Sequence, residues 1–168
     1  MKAVSFAPIV NSLSKILILG TMPGIKSLEE HQYYAHPRNA FWKIMFRLFD
    51  KNFSENYEER KKLISENNLA LWDTLKLCYR EGSSDTNIKN EEANEIHNLL
   101  NKYPNIHTII FNGKNAEKFY KRYFEKKEGI KYLTLPSTSP ANATKQFDEK
   151  FAEWEVIRNL LKYENLKG

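Results

Sequence analysis

Four short, mostly apolar runs recur along the chain, at residues 15–20, 69–72, 107–111 and 131–135. Each run ends in glycine, proline or polar residues. Short apolar runs without strict alternation of apolar and polar positions are typical of strands buried on both faces, as in a parallel sheet. The pattern therefore predicts four buried strands.

Helical periodicity fills most of the sequence between these runs. Apolar residues recur there at three- and four-residue spacing, which is the period of an amphipathic helix. Residues 1–14 are predicted to be a short lead-in, and residues 79–90 a polar loop. The predicted helices are residues 40–49, 56–67, 91–102, 114–124 and 143–163.

Strands that alternate with helices in this order predict an α/β fold. The expected architecture is a three-layer α/β/α sandwich with a central, mainly parallel sheet of four strands. The chain has 168 residues and contains no internal repeat, low-complexity tract or linker. We therefore expect a single domain that spans residues 1–168.

Composition narrows the class of protein. The formal net charge of +5 is compatible with a nucleic-acid partner, although many other proteins share such a charge. Cys78 is the only cysteine, which excludes an internal disulfide and any multi-cysteine metal or iron–sulfur site. No apolar run approaches the roughly 20 residues that span a bilayer, and the N-terminus has no signal-peptide pattern. These features predict a cytoplasmic protein without a membrane partner.

The candidate chemistry lies where the predicted strands end, because ligands of open α/β sheets bind beyond the carboxyl ends of the strands. Gly20 to Gly24 follow the first strand but lack the Gly-Lys pair of a phosphate-binding loop, since Ile25 separates Gly24 from Lys26. The nearby histidines have no tight cluster of Asp or Cys around them, so no metal site is predicted. No cofactor is expected.

Asn39 and Tyr34 each allow two interpretations. Asn39 precedes a predicted helix and could cap it, or its side-chain carbonyl could hold a water molecule against a substrate. Both uses need the same oxygen. Tyr34 could be a packing residue, or its ring could stack on a planar ligand.

Asp73 and the segment after the fourth strand also allow two interpretations. Asp73 could cap a turn, or its carboxylate could accept a ring N–H from a base. The Pro-Ser-Thr-Ser-Pro segment could cap the last helix, with Asn142 as its N-cap. Alternatively, its hydroxyl and backbone N–H groups could contact phosphate while its stiff apolar tip enters a base stack.

Taken together, these blocks resemble the uracil-DNA glycosylase superfamily, and specifically its hypoxanthine-DNA (deoxyinosine) glycosylase branch. Each block is short, but all five occur in the family's order across nearly the whole chain. They are GTMPG at 20–24, YYAHPRNAFW at 33–42, LWDTL at 71–75, FNG at 111–113 and LPSTSPANA at 135–143.

The resemblance implies a role for each matching residue. Several sister families place a water-activating Asp or Asn where this chain has Met22, whereas the deoxyinosine branch uses the asparagine that matches Asn39. Tyr34 matches an aromatic that stacks on the flipped base, and Asp73 an asparagine that reads the base edge. The backbone at Thr21 and Met22 could donate to a base carbonyl.

The resemblance also implies a DNA-binding loop. This loop grips phosphate and wedges the duplex in the family, and in many members it carries a histidine that this chain lacks. The residues that match the loop are Ser137, Thr138, Ser139, Pro140, Ala141 and Asn142.

The activity implied is that of a monofunctional glycosylase. It would hydrolyse the N-glycosidic bond of a deaminated base flipped out of DNA, with hypoxanthine as the expected base. It would act as a monomer, without a metal ion or iron–sulfur cluster. The alternatives are a mismatch-specific uracil or thymine glycosylase, an inactive DNA-binding protein of the same fold, and a hydrolase of small nucleosides or nucleotides.

Overall fold

The computed structural model describes residues 1–162. The strands are β1 (Lys2–Val4), β2 (Ile16–Gly20), β3 (Leu69–Asp73), β4 (Leu75–Tyr79), β5 (Lys89–Ala93), β6 (Thr108–Asn112) and β7 (Lys131–Leu135). The helices are α1 (Ile25–Glu30), α2 (Phe41–Leu48), α3 (Tyr57–Glu66), α4 (Ile96–Lys102), α5 (Lys114–Tyr123), α6 (Phe147–Trp154) and α7 (Val156–Leu161), and a 3-10 turn covers Asp85–Asn87.

The central sheet has four parallel strands in the order β3-β2-β6-β7. The register pairs Gly20 with Asp73 across β2 and β3, and Asn112 with Leu135 across β6 and β7. The prediction of a central sheet of four parallel strands is therefore confirmed, but only β2, β3 and β6 are buried along most of their length, whereas in β7 only Leu135 is buried. Because the strands are parallel, their polar C-terminal residues meet at one edge of the sheet.

Helices cover both faces of this sheet. Along β2, Ile16 and Ile18 belong to one apolar cluster, whereas Leu17 and Leu19 belong to the other. The first cluster includes the apolar faces of α2, α3, α6 and α7, and the second those of α4 and α5. This arrangement is the expected three-layer α/β/α sandwich.

A second, smaller sheet was not predicted. It is antiparallel, with the order β1-β4-β5. Residues 1–14 are therefore more than a lead-in, and the helix predicted from residue 91 begins only at Ile96. The sequence of β5 is KNEEA, which has no apolar pattern because none of its side chains is fully buried. Its pairing with β4 holds it in place through backbone hydrogen bonds.

The predicted C-terminal helix is divided and starts later than expected. It begins at Phe147, where Gln146 and Glu149 form a reciprocal capping box, and Glu155 separates α6 from α7. Asn142 is therefore not its N-cap. Residue 163, the predicted end of this helix, lies outside the described residues. No helix within residues 1–162 is both long enough and apolar enough to cross a bilayer.

Candidate active site

A pocket of about 670 Å³ opens at the C-terminal edge of the central sheet. Its volume lies within the range that small-molecule sites occupy. The structure brings every site residue predicted from the sequence to the wall of this pocket. These residues are Thr21, Met22, Tyr34, Asn39, Asp73, Ser137, Thr138, Ser139, Pro140, Ala141 and Asn142.

Gly20, Tyr34 and Asp73 make up the pocket floor. A Cβ atom on Gly20 would lie 2.6 Å from Oδ1 of Asp73 and 2.9 Å from the hydroxyl of Tyr34, closer than carbon atoms tolerate. Only glycine at the end of β2 therefore lets the carboxylate and the phenol approach each other. The strand-end glycine thus shapes the floor.

Asp73 is a buried carboxylate with unused hydrogen-bonding capacity. It is 4% exposed, and its Oδ2 has no hydrogen-bond partner among residues 1–162. The pKa of Asp73 is raised to about 7, mainly by burial and in part by the nearby charge of Asp85, whereas the charge of Arg80 opposes the shift. Near neutral pH the group can therefore either accept or donate a hydrogen bond.

Tyr34 places its hydroxyl at the same point. Its backbone has a positive φ of 54°, and its ring stacks on Phe41 with centroids 4.1 Å apart. Burial raises the pKa of the hydroxyl, with Asp73 adding to the shift and the neighbouring Asn112 amide opposing it, so the phenol stays protonated. The hydroxyl makes no hydrogen bond of good geometry to the described residues. One face of the ring is thus used for packing, and its polar end joins the floor.

Asn39 stands at the rim of the pocket, one residue before Ala40 and α2. Its Oδ1 accepts a hydrogen bond from the N–H of Phe41 at 3.0 Å, so Asn39 holds the start of α2 from one position before the N-cap, which is Ala40. A carbonyl oxygen has two lone pairs. One acceptor position on Oδ1 is therefore left beside the pocket, and the catalytic interpretation stays a prediction.

Thr21 and Met22 form the turn that leaves β2. The carbonyls of Gly20 and Thr21 accept hydrogen bonds from the N–H groups of Thr74 and Leu75, at 2.7 and 3.2 Å. The side chain of Met22 packs into the apolar cluster under the small sheet. Any contact of Met22 with a base would therefore come mainly from its backbone, as the sequence argument expected.

The loop of residues 137–142, here called the 137–142 loop, is braced from β6. The Asn112 amide accepts from the N–H of Thr138 at 3.0 Å and donates to its hydroxyl at 2.9 Å. Thr138 is therefore buried, and its carbonyl accepts from the N–H of Ala40 at 3.0 Å. Gly113, with a φ of 92°, lies so close that a Cβ there would be 2.9 Å from Cβ of Ser137. The more exposed part of this loop is Pro140 and Ala141.

Sequence reasoning missed one wall of the pocket. Ser83 to Thr86 line it, and Asp85 accepts from Asn115 at 3.3 Å. Behind this wall lies the buried side chain of Arg80, which donates to the carbonyl of Pro23 and lies 3.9 Å from Asp85. Burial raises the pKa of Asp85, and Asn115, Arg80 and Thr21 oppose that shift. These contacts join residues that are distant in sequence, so no local sequence motif predicts them.

Asn112 was also missed, although a signal for it was present. It ends β6 just as Gly20 and Asp73 end β2 and β3, and it precedes a glycine. No three His, Cys, Asp or Glu side chains converge as a possible metal site in the part of the chain that the structure describes.

The chain is similar in sequence to named proteins of a known family. Two curated relatives are named hypoxanthine DNA glycosylase. The one from Methanosarcina barkeri (strain Fusaro) is 39% identical over 120 residues, which cover 71% of this chain and 76% of the relative. The one from Methanosarcina acetivorans is 35% identical over 156 residues, which cover 90% of this chain and 95% of the relative.

A solved structure shares the fold. It is a solution NMR structure from Methanosarcina acetivorans, described as a candidate uracil DNA glycosylase. It superposes with a TM-score of 0.80 at 32% sequence identity, and covers 97% of this chain and 100% of that chain. The sequence profile of the Uracil DNA glycosylase superfamily matches residues 7–161. Because this profile covers most of the chain and the relative from Methanosarcina acetivorans is 35% identical over 90% of it, the chain belongs to the uracil DNA glycosylase superfamily.

Proposed function

We propose that this protein is a DNA glycosylase that removes hypoxanthine from deoxyinosine in DNA and leaves an abasic site. The observation that carries the proposal is the unpartnered Oδ2 of Asp73, buried at the floor of a pocket large enough for a purine. The two relatives named hypoxanthine DNA glycosylase support the same base. The target nucleotide must leave the duplex to reach this floor, at a cost on the order of a few kcal/mol that a deaminated or mismatched pair reduces.

Asp73 reads the base edge. Hypoxanthine carries a proton on N1, and the ionised carboxylate accepts a hydrogen bond from this N1–H. Adenine has an unprotonated N1, so it would face the lone pairs of the carboxylate without a shared proton. An unmade hydrogen bond to a buried charged group is expensive, which disfavours adenine. The Tyr34 hydroxyl, which stays protonated, can donate to an acceptor on the same base.

Asn39 orients the attacking water. Its Oδ1 already holds the start of α2 through Phe41, and this fixes the carbonyl at the pocket rim. The remaining lone pair accepts a hydrogen bond from the water and directs the water oxygen toward the sugar carbon; the proton that the water loses on attack ends on the departing base. An amide is too weak a base to ionise the water, so its contribution is orientation.

The departing base leaves with the electrons of the broken C–N bond, and it must be stabilised as an anion. Backbone N–H groups of the turn at Thr21 and Met22 donate to its carbonyl, as oxyanion donors do in other enzymes. The hydrogen bonds that fix this turn on Thr74 and Leu75 keep such donors in place before the base arrives.

The 137–142 loop binds the DNA next to the flipped nucleotide. Pro140 and Ala141 are its exposed apolar tip, suited to fill the space that the flipped base leaves in the stack. Ser139 and Asn142 offer polar groups for phosphate, whereas the buried Thr138 braces the loop from within. We expect the protein to act as a cytoplasmic monomer, with residues 1–168 as one domain.

The test uses short duplexes with one inosine, uracil or ethenoadenine, incubated without added cofactor and then cleaved with alkali. We expect strand breaks at inosine. Breaks mainly at uracil would move the protein to the mismatch-specific uracil branch with the same fold. Salt-sensitive DNA binding without breaks at any of the three bases would contradict the proposed activity and leave a DNA-binding protein.

A further inference from the structure

Lys150 is a buried lysine that touches the 137–142 loop from α6. The residue is 6% exposed, and its Nζ donates to the carbonyl of Ser139 at 3.4 Å. That carbonyl also accepts from the N–H of Asn142 at 3.0 Å, so the bond to Lys150 is long and shared. An ammonium group has three donors. Most of the hydrogen-bonding capacity of Lys150 is therefore unused within residues 1–162.

No carboxylate offsets the charge of Lys150 in the described part of the chain. None of the ion pairs there includes it, although four acidic side chains lie within five residues. Each of these acids is engaged elsewhere: Asp148 with Arg47 at 3.3 Å, Glu149 with the N–H of Gln146 at 3.1 Å, Glu153 with Lys145 at 2.7 Å, and Glu155 with Arg158 at 2.8 Å.

Such a position is unfavourable for a charge in the protein alone. Burial lowers the pKa of Lys150, because the ammonium loses water without gaining a carboxylate. A buried charge normally persists only where it is paired. Methionine has a similar length and would fill the same space without this cost. A buried ammonium at this position therefore needs a negatively charged partner, and the described residues do not supply one.

We propose that this counter-charge is a backbone phosphate of the DNA substrate, seated on the 137–142 loop above Lys150. The inference rests on the proposed glycosylase function and adds a residue to its DNA interface. The ammonium contributes its field and its spare donors from behind Ser139, whereas the polar groups of the loop contact the phosphate from the front. Such a contact is independent of base sequence.

The experiment measures the affinity for inosine duplex between 50 and 300 mM salt, for wild type and variants. Lys150→Met keeps the length of the side chain and removes its charge. Lys150→Gln removes the charge but keeps a donor for Ser139, and Lys150→Arg keeps the charge. The matched control is Lys62→Met, because Lys62 is exposed, pairs with Glu66, and lies on a helix that leads into the opposite edge of the sheet.

We expect the Met and Gln variants to lose about 0.9 from the slope of log K against log[salt], and to bind roughly eightfold more weakly at 0.1 M salt. Lys150→Arg should recover most of the slope, and Lys62→Met should keep that of wild type. The affinity should fall by more than the excision rate at saturating DNA.

Three outcomes would overturn the inference. One is an unchanged slope in both uncharged variants. Another is an equal loss of slope in Lys62→Met, which would indicate net charge alone. The third is a lower stability and excision rate in Lys150→Met, with full recovery in Lys150→Gln, which would make Lys150 a brace for Ser139. Excision by the wild-type protein tests the proposed function separately. If the wild type fails to excise inosine, the proposed function is contradicted, whatever the salt dependence of the variants.

Discussion

The floor and the rim of the pocket use polar side chains in opposite ways. On the floor, Oδ2 of Asp73 and the hydroxyl of Tyr34 are buried without a hydrogen-bond partner among the described residues. On the rim, Asn39, Ser137 and Ser139 each accept a hydrogen bond from the N–H two residues further along the chain, at 3.0, 3.2 and 3.2 Å. The rim is satisfied by its own backbone, and the floor is not.

We infer from this difference that the floor groups depend on the substrate for their hydrogen-bond partners, whereas the rim groups are already held in place by the protein. Leaving a buried polar group unpaired costs about 1–3 kcal/mol, and more for a charged group. Such groups persist at functional sites, where a ligand supplies the missing partner. The rim bonds are local and stabilise loops, so they also occur in proteins without any ligand. We therefore expect rim and floor variants to differ in stability as well as activity.

Asn39→Ala is expected to have the largest effect on activity. Loss of the water-orienting carbonyl should lower single-turnover inosine excision by about 10²–10⁴-fold while DNA binding is kept. Asn56→Ala is the matched control, because Asn56 caps α3 through the N–H of Glu59 and does not line the pocket. It should cost about 1 kcal/mol of stability and no activity. Equal excision rates in the Asn39 and Asn56 variants would show that Asn39 only stabilises the start of α2.

Gly20→Ala tests the close approach on the floor. The new Cβ must displace Asp73 or Tyr34, and we expect excision to fall by about 100-fold, as for an active site misplaced by roughly 1 Å. Gly24→Ala is the control in the same turn, where a Cβ would meet only the side chain of Ser83, with Oγ at 3.3 Å and Cβ at 3.5 Å. If the Gly20 variant is as active as the Gly24 variant, Asp73 and Tyr34 can shift to make room for the new Cβ without loss of excision.

The pH profile of inosine excision tests the state of Asp73. The ionised carboxylate accepts the hydrogen bond from N1–H more strongly than the protonated acid does, and the pKa of Asp73 is about 7. The apparent second-order rate constant should therefore rise roughly tenfold from pH 6 to pH 8. Asp85→Asn removes a charge that raises this pKa, so the rise should move to lower pH. A profile that is flat, or unmoved in the variant, would exclude Asp73 as the controlling group.

Thr138→Val should have the smallest effect. It removes the hydroxyl that accepts from Asn112 but leaves the shape of the buried side chain. We expect a loss of about 1 kcal/mol in the free energy of unfolding, measured in urea, and excision within a few-fold of wild type. A loss of activity as large as that of Asn39→Ala would mean that the hydroxyl itself contacts the substrate.

The contrast between floor and rim also explains what the sequence could predict. Both faces of Ile16–Gly20 are buried and the run has no charged or polar side chain, so the strand and its end could be predicted from the sequence. A contact of Asn39 with the start of α2 could also be predicted, since its partner Phe41 lies two residues away, although the N-cap itself is Ala40. By contrast, β5 has no apolar pattern, and the buried Arg80 meets Pro23 from 57 residues away, so neither has a local signature. The resemblance to the family placed Asp73 in the site, but only the structure gives its burial and its unpaired oxygen.

The raised pKa of Asp73 predicts a stability cost whose sign can be worked out. The folded protein holds this proton more tightly than the unfolded chain, whose carboxyl has a pKa near 3.8. Stability from this group is therefore present below about pH 4 and is lost as the pH rises through 7. At pH 8 the loss is at most about 4 kcal/mol. Asp73→Asn cannot ionise, so it should be more stable than wild type at that pH.

The most direct test measures the ratio of single-turnover excision at inosine to that at adenine, for wild type and Asp73→Asn at pH 8, with the free energy of unfolding taken on the same samples. We predict that the ratio falls by about tenfold or more while the free energy of unfolding rises, because the variant gives up base recognition and a buried charge together. An unchanged ratio would contradict the assignment of Asp73 as the base-reading group. A loss of stability along with the loss of activity would show that the carboxylate supports the fold.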